Sequence, residues 1–481
     1  MKIKFCGAAR QVTGSMHLLE LDNGYKLLVD CGLNHEQQRN FTRAGDASFL
    51  FDPATIDCVV LTHAHIDHSG NIPTLIKHGF GGKILCTPPT ADLTSYLLLD
   101  SLKIMESEEK KKNRDKKKVR VSPIFGYKHY KEAMERFVTV HFNQTFSLNS
   151  SIELTFTEAG HILGAAGVRL KITEGKDEVV LGFTGDIGNY GSKLMRDPDP
   201  LKDVDYLISE STYGGRYHKS TRTPEDELLH YVVETCVSQP GRLVIPAFSV
   251  GRTQAILYTL HRLHSQGMLP EGVKYFVDSP LAIKTTHIYQ HYQQYMNEEA
   301  RQFYKRHGSL FEFEGLSYIM NRADSEQLDT YYEPCVIISA AGMVEGGRIQ
   351  EHVRNNIRNS YCTILIAGYC AEGTLGHRLL HGEGSIYIHG KEFPVFAKIA
   401  ATDVFSAHPD HNGLLRYFEE AGVRNSKGVF FVHGEAVSME RLKEDMQAKG
   451  YQNLVIPELG QEFGLSKGYD KVTESAFGQE K

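Results

Sequence analysis

What the sequence lacks excludes several classes of protein. No hydrophobic run approaches the ~18 residues that a membrane-spanning helix needs, so we expect no membrane segment. The opening residues Met1–Gly7 contain no apolar signal-peptide core and predict a first strand instead. The eight cysteines are dispersed and form no C-x-x-C pair. This fits reduced thiols in a cytoplasmic protein and argues against a zinc ion held by cysteine.

The sequence also lacks a basic excess. Its 53 lysines and arginines stand against 59 aspartates and glutamates, a formal net charge of −6, so any contact with a polyanion has to come from a local surface. One local run, Lys110–Lys118, carries seven cations and a single anion. It is either a solvated loop balanced by the glutamates just before it or a polyanion contact, and both interpretations stay open.

Periodicity predicts an α/β protein. Short apolar runs rich in β-branched residues alternate with helical patterns over residues 1–210, and a second alternation runs from about 223 to 390. Predicted strands include Cys58–Thr62, Arg242–Pro246 and Gly428–Val432, and predicted helices include Thr90–Ser107 and Gly251–Gln266. Strands that alternate with helices imply parallel sheets covered on both faces. The length of 481 residues leaves room for roughly two to four domains.

The most informative feature that is present is the hexapeptide from His63 to His68, His-Ala-His-Ile-Asp-His. It packs three imidazoles and one carboxylate between the predicted strand Cys58–Thr62 and a helical pattern, and the tip of a strand is a rigid place for metal ligands. Neutral imidazole and carboxylate groups suit Zn²⁺, and a site with open positions is typical of catalysis. The alternative is a histidine-rich surface loop.

Four other polar residues follow predicted apolar strands. They are Asp30, His161, Asp186 and His433. Each of them alone could be an ordinary turn-former or helix cap. Two zinc ions close together need roughly seven ligands, of which residues 63–68 supply four. Taken together, these positions predict a two-metal site built from strand ends.

Longer motifs then carry a resemblance to a known family. They are Ser209–Gly214, Pro246–Gln254, Ser279–Ala282, Ser339–Met343 and Phe405–Asp410. With the histidines above, they resemble the metallo-β-lactamase superfamily and, within it, the β-CASP nucleases, over nearly the whole chain. The chain is similar to bacterial stand-alone ribonucleases related to the nuclease subunit of the cleavage and polyadenylation factor.

The resemblance implies a fold and domain boundaries. We expect an αβ/βα metallo-β-lactamase sandwich formed by residues 1–210 and 395–465, an inserted α/β β-CASP domain over residues 211–394, and a C-terminal tail over residues 466–481. It also implies a cytoplasmic enzyme, with single-stranded RNA as the partner and the possibility of a homodimer left open.

The resemblance further implies two zinc ions per chain and the residues that bind them. The ligands of the first zinc are His63, His65 and His161, and those of the second are Asp67, His68 and His433. Asp186 bridges the two ions, and Asp30 supports the ligands from behind. A histidine at the position of His433 is typical of the RNA-acting members of this branch, so it favours RNA over DNA.

The implied reaction is hydrolysis of a phosphodiester bond by a hydroxide that bridges the two ions. The residues with implied catalytic roles are His408, Glu210, Asp67 and Asp186. His408 is expected to protonate the leaving oxygen and Glu210 to orient His408. Candidate contacts to substrate phosphates are Ser211, Arg252, Ser339, Gly342, Gly373 and Thr374. A DNA nuclease, another metal-dependent hydrolase of the superfamily and a non-catalytic RNA-processing scaffold are the alternatives.

Overall fold

The computed structural model describes residues 1–34, 49–114 and 122–466, which form two compact units. The first unit comprises Met1–Gly191, Arg196–Tyr217 and His408–Lys481, and the second comprises Ser192–Met195 and His218–Ala407. Two regions of the predictions, residues 115–118 of the basic run and residues 467–481 of the tail, lie outside the described residues. Within the described ranges, no helix is both long enough and apolar enough to cross a membrane.

The first unit contains two seven-stranded sheets. The first sheet has the order β22-β1-β2-β3-β4-β5-β6. Its strands are β1 (Lys2–Phe5), β2 (His17–Glu20), β3 (Lys26–Val29), β4 (Cys58–Val60), β5 (Lys83–Cys86), β6 (Phe137–Thr139) and β22 (Glu462–Gly464). Strands β3 to β6 are parallel and β1, β2 and β22 are joined antiparallel. This sheet therefore brings the carboxyl ends of β3 and β4 to one edge.

The second sheet of this unit has the order β21-β20-β11-β10-β9-β8-β7. Its strands are β7 (Thr145–Asn149), β8 (Ile152–Glu158), β9 (Ala166–Glu174), β10 (Asp177–Phe183), β11 (Tyr206–Glu210), β20 (Gly428–Val432) and β21 (Leu454–Val455). Strands β10, β11 and β20 are parallel, and β8 points the same way because β9 is antiparallel to both β8 and β10. The carboxyl ends of these four strands, and that of β21, which pairs in parallel with β20, thus lie at one edge of this sheet as well.

Hydrophobic burial explains why the two sheets face each other. One core cluster joins inward residues of both sheets, such as Phe5 and Val60 with Leu154 and Phe183, all nearly inaccessible to solvent. A second cluster packs helices on the outer face of the first sheet, and a third packs helices on the outer face of the second. The predicted αβ/βα sandwich is confirmed, since each sheet is apolar on both faces.

The helices of the first unit cover these outer faces. They are α1 (Ile66–Ser69), α2 (Ile72–Lys77), α3 (Pro88–Lys112), α4 (Tyr127–Glu135), α12 (His411–Ala421) and α13 (Ala436–Ala448). Helix α12 begins at an N-cap, because the carboxylate of Asp410 accepts a hydrogen bond from Gly413 N at 3.0 Å. This cap fixes the chain immediately after His408.

The second unit contains a six-stranded parallel sheet with the order β14-β13-β15-β12-β16-β19, and a hairpin of β17 and β18. Its strands are β12 (Arg242–Pro246), β13 (Lys274–Val277), β14 (Leu316–Tyr318), β15 (Cys335–Ser339), β16 (Thr363–Ile366), β17 (Ser385–Ile388), β18 (Lys391–Pro394) and β19 (Lys398–Ala401). Its α-helices are α5 (Pro224–Val232), α6 (Arg252–Ser265), α7 (Pro280–His291), α8 (Glu298–His307), α9 (Arg322–Gln327), α10 (Ile349–Asn356) and α11 (Leu375–Leu380).

The boundaries between the two compact units differ from the predicted domain boundaries at 210/211 and 394/395. Strand β19 was assigned to the first domain, but it pairs in parallel with β16 and so belongs to the sheet of the second unit. The first unit also continues past residue 210 to Tyr217. The chain returns to the first unit at His408, directly before the capped helix α12.

Candidate metal centre

The predicted ligands lie at strand ends of the first unit. His63 and His65 follow β4, Asp186 follows β10 and His433 follows β20. His161 comes three residues after β8, in a turn closed by a backbone bridge between Gly160 and Ile187. Since these strands run parallel to one another within each sheet, their ends bring distant parts of the sequence to the same edge of the sandwich.

Four of these side chains form the first group. His63 Nε2 lies 3.1 Å from His65 Nδ1, and His161 Nε2 lies 3.2 Å from the same atom. The Oδ2 atom of Asp186 lies 3.5 Å from His63 Nε2 and 3.6 Å from His161 Nε2. One ligand atom from each residue falls within 4.8 Å of all the others, which is close enough for a shared metal ion.

Three side chains form a second group, Asp67, His68 and His433, with ligand atoms again within 4.8 Å of one another. His433 Nε2 lies 3.5 Å from Asp67 Oδ2. Asp186 extends to this group too, because its Oδ1 lies 3.3 Å from His68 Nε2. The carboxylate of Asp186 touches both groups. The family resemblance implied the same two sets of ligands, and their roles as zinc ligands stay a prediction.

Burial sets the protonation of the first group. It lowers the pKa of His63 and His161 well below the ordinary 6.5, and that of His65 to about 4. These imidazoles are therefore neutral near pH 7 and offer lone pairs. His68 differs, because the carboxylates of Asp186 and Asp30 overcome the effect of burial and raise its pKa well above the ordinary range.

A network behind the ligands fixes their orientation. Asp30, 2 % exposed, accepts hydrogen bonds from His68 Nδ1 at 2.7 Å, from Thr62 Oγ1 at 2.8 Å and from Thr62 N at 2.8 Å. Thr62 Oγ1 also contacts His63 Nδ1 at 3.0 Å. One carboxylate thus contacts His68 of the second group directly and His63 of the first group through Thr62. The supporting role of Asp30 stays a prediction.

The donor set fits zinc. It consists of five imidazoles and two carboxylates, the nitrogen and oxygen ligands that Zn²⁺ takes in catalytic sites. The Oδ1 atom of Asp186 is buried and accepts no hydrogen bond from the described residues, although imidazole nitrogens face it. A buried carboxylate oxygen left without a donor is costly, and a cation between it and the imidazoles would satisfy it.

A second pair of side chains adjoins the first group. His408 Nδ1 donates to Glu210 Oε1 over 2.9 Å, and the His408 ring packs 4.5 Å from that of His161, centre to centre. Glu210 is 1 % exposed and also accepts from Ile187 N at 2.6 Å, so its position is fixed. Burial opposes protonation of His408, but the charge and hydrogen bond of Glu210 raise its pKa to about 9. The pair can hold a proton beside the metal ligands at neutral pH.

Six residues were predicted to contact substrate phosphates, and three of them, Ser211, Ser339 and Thr374, carry hydroxyl groups. Ser211 lies in the first unit and donates its hydroxyl proton to Val432 O at 2.7 Å. In the second unit, Ser339 donates to Asp278 O at 2.7 Å and Thr374 donates to Ala371 O at 2.6 Å. These three hydroxyls already use their protons on backbone carbonyls, so they are not free donors for a phosphate.

The other three phosphate candidates, Arg252, Gly342 and Gly373, belong to the second unit. The guanidinium of Arg252 lies 4.7 Å from the centre of the Phe248 ring. A Cβ atom at Gly342 would come 3.1 Å from Phe248 N, so a larger residue there would require a small shift of the Phe248 backbone. Gly373 has a positive φ of 78°. Their phosphate-binding role stays a prediction.

Two hydroxyl groups that contact the candidate ligand histidines were not predicted from the sequence. Thr62 contacts His63 and Asp30, and Thr212 Oγ1 contacts His433 Nδ1 at 3.0 Å. Both threonines lie next to predicted functional residues, Thr62 before His63 and Thr212 two residues after Glu210. The sequence signal for each threonine was a polar residue at the end of an apolar strand. Such a residue is equally typical of an ordinary turn, so it did not indicate a contact with a ligand histidine.

Three family profiles match the chain. They are described as a metallo-beta-lactamase superfamily domain over residues 18–184, a Beta-Casp domain over residues 253–379 and a Zn-dependent metallo-hydrolase RNA specificity domain over residues 392–457. The first covers His63 to His161 and ends two residues before Asp186, and the third covers His408 and His433.

Curated proteins are similar over almost the full chain. Ribonuclease TTHA0252 of Thermus thermophilus is 31 % identical over 94 % of this chain and 97 % of its own length. Transcription termination factor FttA of Methanosarcina mazei is 29 % identical over 95 % of this chain and 70 % of its own length. Integrator complex subunit 11 of Gallus gallus is 29 % identical over 96 % of this chain and 73 % of its own length.

Proposed function

Since the chain belongs to the metallo-β-lactamase superfamily, within the branch that carries a Beta-Casp domain, we propose that it is a zinc-dependent ribonuclease acting on single-stranded RNA. The observation that carries this proposal is the pair of ligand groups that share Asp186, with His408 and Glu210 beside them. A metal-dependent nuclease needs a cation site and a proton donor within reach of one phosphate, and the residues at this edge of the sandwich could serve as both.

The first zinc is assigned to His63, His65 and His161, the second to Asp67, His68 and His433, and Asp186 contributes to both. When bound, two zinc ions would activate a water molecule and balance the negative charge of the scissile phosphate. The neutral imidazoles of the first group can bind without first losing a proton, because burial has already lowered their pKa.

His408 supplies the proton that the leaving oxygen needs. Its Nδ1 is engaged with Glu210 at 2.9 Å, so the proton passed to the leaving oxygen would come from the other ring nitrogen, Nε2. Glu210 holds the ring in place and favours its charged form, since the two groups form a part-buried ion pair at 2.9 Å. A cationic imidazole so oriented can act as a general acid in phosphodiester cleavage.

Three observations favour RNA over DNA. The profile that covers His408 and His433 is described as an RNA specificity domain, and one relative of similar length is named a ribonuclease. The residue at position 433 is histidine, the residue that the family resemblance associates with RNA-acting members. The cytoplasmic location, a homodimer, and cutting from an end or internally stay open predictions.

A cleavage assay tests the proposal. Metal-free protein is loaded with zinc and incubated with end-labelled single-stranded RNA and with DNA of the same sequence. We expect the RNA to be cut and the DNA to be left intact. DNA cut as fast as RNA would favour the DNA-nuclease alternative, and neither strand cut would favour another hydrolase or a scaffold.

Two variants assign the activity to the site. His408→Gln should remove cleavage and leave the zinc content unchanged, because His408 is assigned to the acid and not to the metal. His287→Gln alters an exposed histidine of helix α7 and should cleave like the parent protein. Loss of zinc from His408→Gln would contradict the role assigned to His408.

A further inference from the structure

The hydroxyl of Thr62 lies between a carboxylate and a metal-ligand histidine. Its Oγ1 is 2.8 Å from Asp30 Oδ2 and 3.0 Å from His63 Nδ1. A threonine hydroxyl has one proton to donate and two lone pairs that accept. Because an ionised carboxylate only accepts, the Thr62 proton has to point to Asp30. The lone pairs of Thr62 then face His63 Nδ1, which completes the contact only if that nitrogen carries a proton.

A proton on Nδ1 decides what His63 can bind. In the neutral imidazole the other nitrogen, Nε2, is then unprotonated and keeps its lone pair. That nitrogen is the one that faces the first group, at 3.1 Å from His65 Nδ1. Asp186 Oδ2 competes by favouring a proton on Nε2, but it lies farther away, at 3.5 Å, than Thr62 does from Nδ1.

Thr212 stands in the same relation to His433. Its Oγ1 donates to the backbone carbonyl of His433 at 3.1 Å and contacts Nδ1 of the same residue at 3.0 Å. A carbonyl only accepts, so when the Thr212 proton points there the lone pairs of Thr212 face Nδ1. A further neighbour of this nitrogen, Asp186 Oδ1 at 3.6 Å, is an acceptor and favours that arrangement. Both neighbours suit an N–H at Nδ1 and leave Nε2 for the group that contains Asp67.

We propose that the hydroxyls of Thr62 and Thr212 are positioning groups that hold His63 and His433 in the Nδ1–H tautomer and so present Nε2 to the metals. The inference rests on the proposed function only for the identity of the ligand, since the hydrogen bonds belong to the protein alone. Each group of ligands then has one hydroxyl that selects the tautomer, Thr62 for the first and Thr212 for the second.

The test is made on metal-free protein labelled with ¹⁵N-histidine, in which ring nitrogen shifts distinguish the two tautomers. We expect the Nδ1–H form at both His63 and His433 in the parent protein. Thr62→Val keeps the shape of the side chain and removes the hydroxyl, so His63 should move toward the Nε2–H form while His433 stays unchanged. Thr212→Val should do the reverse.

Conservative and matched variants separate this effect from misfolding. Thr62→Ser and Thr212→Ser retain the hydroxyl and should restore the parent tautomer. Thr74→Val removes a buried hydroxyl from helix α2 that has no hydrogen-bond partner among the described residues, and it should change neither ring. In a zinc competition assay each single valine variant should bind zinc about 10- to 100-fold more weakly than the parent protein. Removing other contacts that support a metal-bound histidine has an effect of this size.

Different results would overturn the role of the two threonines and the proposed ribonuclease activity. Parent protein with the Nε2–H form at His63 and His433, or valine variants that keep the parent tautomer and the parent zinc affinity, would overturn the inference. RNA left uncut by a parent protein with the expected tautomers would refute the proposed ribonuclease and leave the role of the two threonines standing.

Discussion

Glu158 provides a prediction about the loop that carries His161. It ends strand β8 and is 7 % exposed. Its Oε1 accepts a hydrogen bond from Gly160 N at 3.0 Å, while Oε2 is buried with no hydrogen-bond partner among the described residues. Burial raises the pKa of this carboxyl to about 8, although the hydrogen bond from Gly160 N and the positive charge of Arg196 act to lower it. At neutral pH the folded protein therefore keeps Glu158 protonated.

The sign and size of the stability effect follow from this pKa. A carboxyl whose pKa is higher in the folded state than in the unfolded state contributes stability that is present in full below the unfolded value. That stability is lost as the pH rises from 4.5 toward about 8. At about 1.36 kcal/mol for each pH unit, the free energy of unfolding should fall by up to about 5 kcal/mol across this range. Glu158→Gln cannot ionise, so it should lack this fall.

Urea unfolding of the metal-free protein at a series of pH values between 5 and about 9 measures the effect. We expect the stability of Glu158→Gln to decline less steeply than that of the parent and to exceed it above pH ~8. Glu153→Gln, an exposed change on the same strand, should follow the parent curve. Parallel curves for Glu158→Gln and the parent would refute the burial argument.

Three further variants probe the rest of the molecule. Glu210→Gln should slow RNA cleavage by about 10²-fold or more at unchanged zinc content, because His408 loses its carboxylate; single-turnover rates and metal analysis measure both. Asp30→Asn should weaken zinc binding by about 10- to 100-fold in a competition titration, since Asp30 supports a histidine of each group. Asp278→Asn should destabilise the second unit by about 3–5 kcal/mol in thermal unfolding, because the fully buried Asp278 accepts from Arg348 and His352 at 2.6 Å each.

Part of the candidate site could be predicted from the sequence. Asp186 and His433 each follow an apolar run, and parallel strands of one sheet bring their carboxyl ends to one edge, so these two residues were expected near each other. His63 follows a strand of the other sheet, so its place beside them came from the family resemblance. The grouping around Asp186 came from the family resemblance, since strand order between β10 and β20 depends on pairing across more than 200 residues.

Other features could not be predicted because they depend on tertiary contacts. Strand β7 was missed, since its residues Thr145–Asn149 are mostly polar and half-exposed and it is an edge strand stabilised by β8. Strand β19 was assigned to the first domain because nothing in Lys398–Ala401 indicates which sheet it joins. The buried Glu158 gave no sign in the sequence that its pKa is raised, because burial is set by the surrounding strands and loops.

The most direct test of the central claim is the rate of single-stranded RNA cleavage as zinc is added stepwise to metal-free protein. Seven ligands divided into two groups predict a rate that rises and reaches its plateau at two equivalents of zinc per chain. A plateau at one equivalent would contradict the two-metal site. RNA that stays intact with both equivalents bound would contradict the ribonuclease itself.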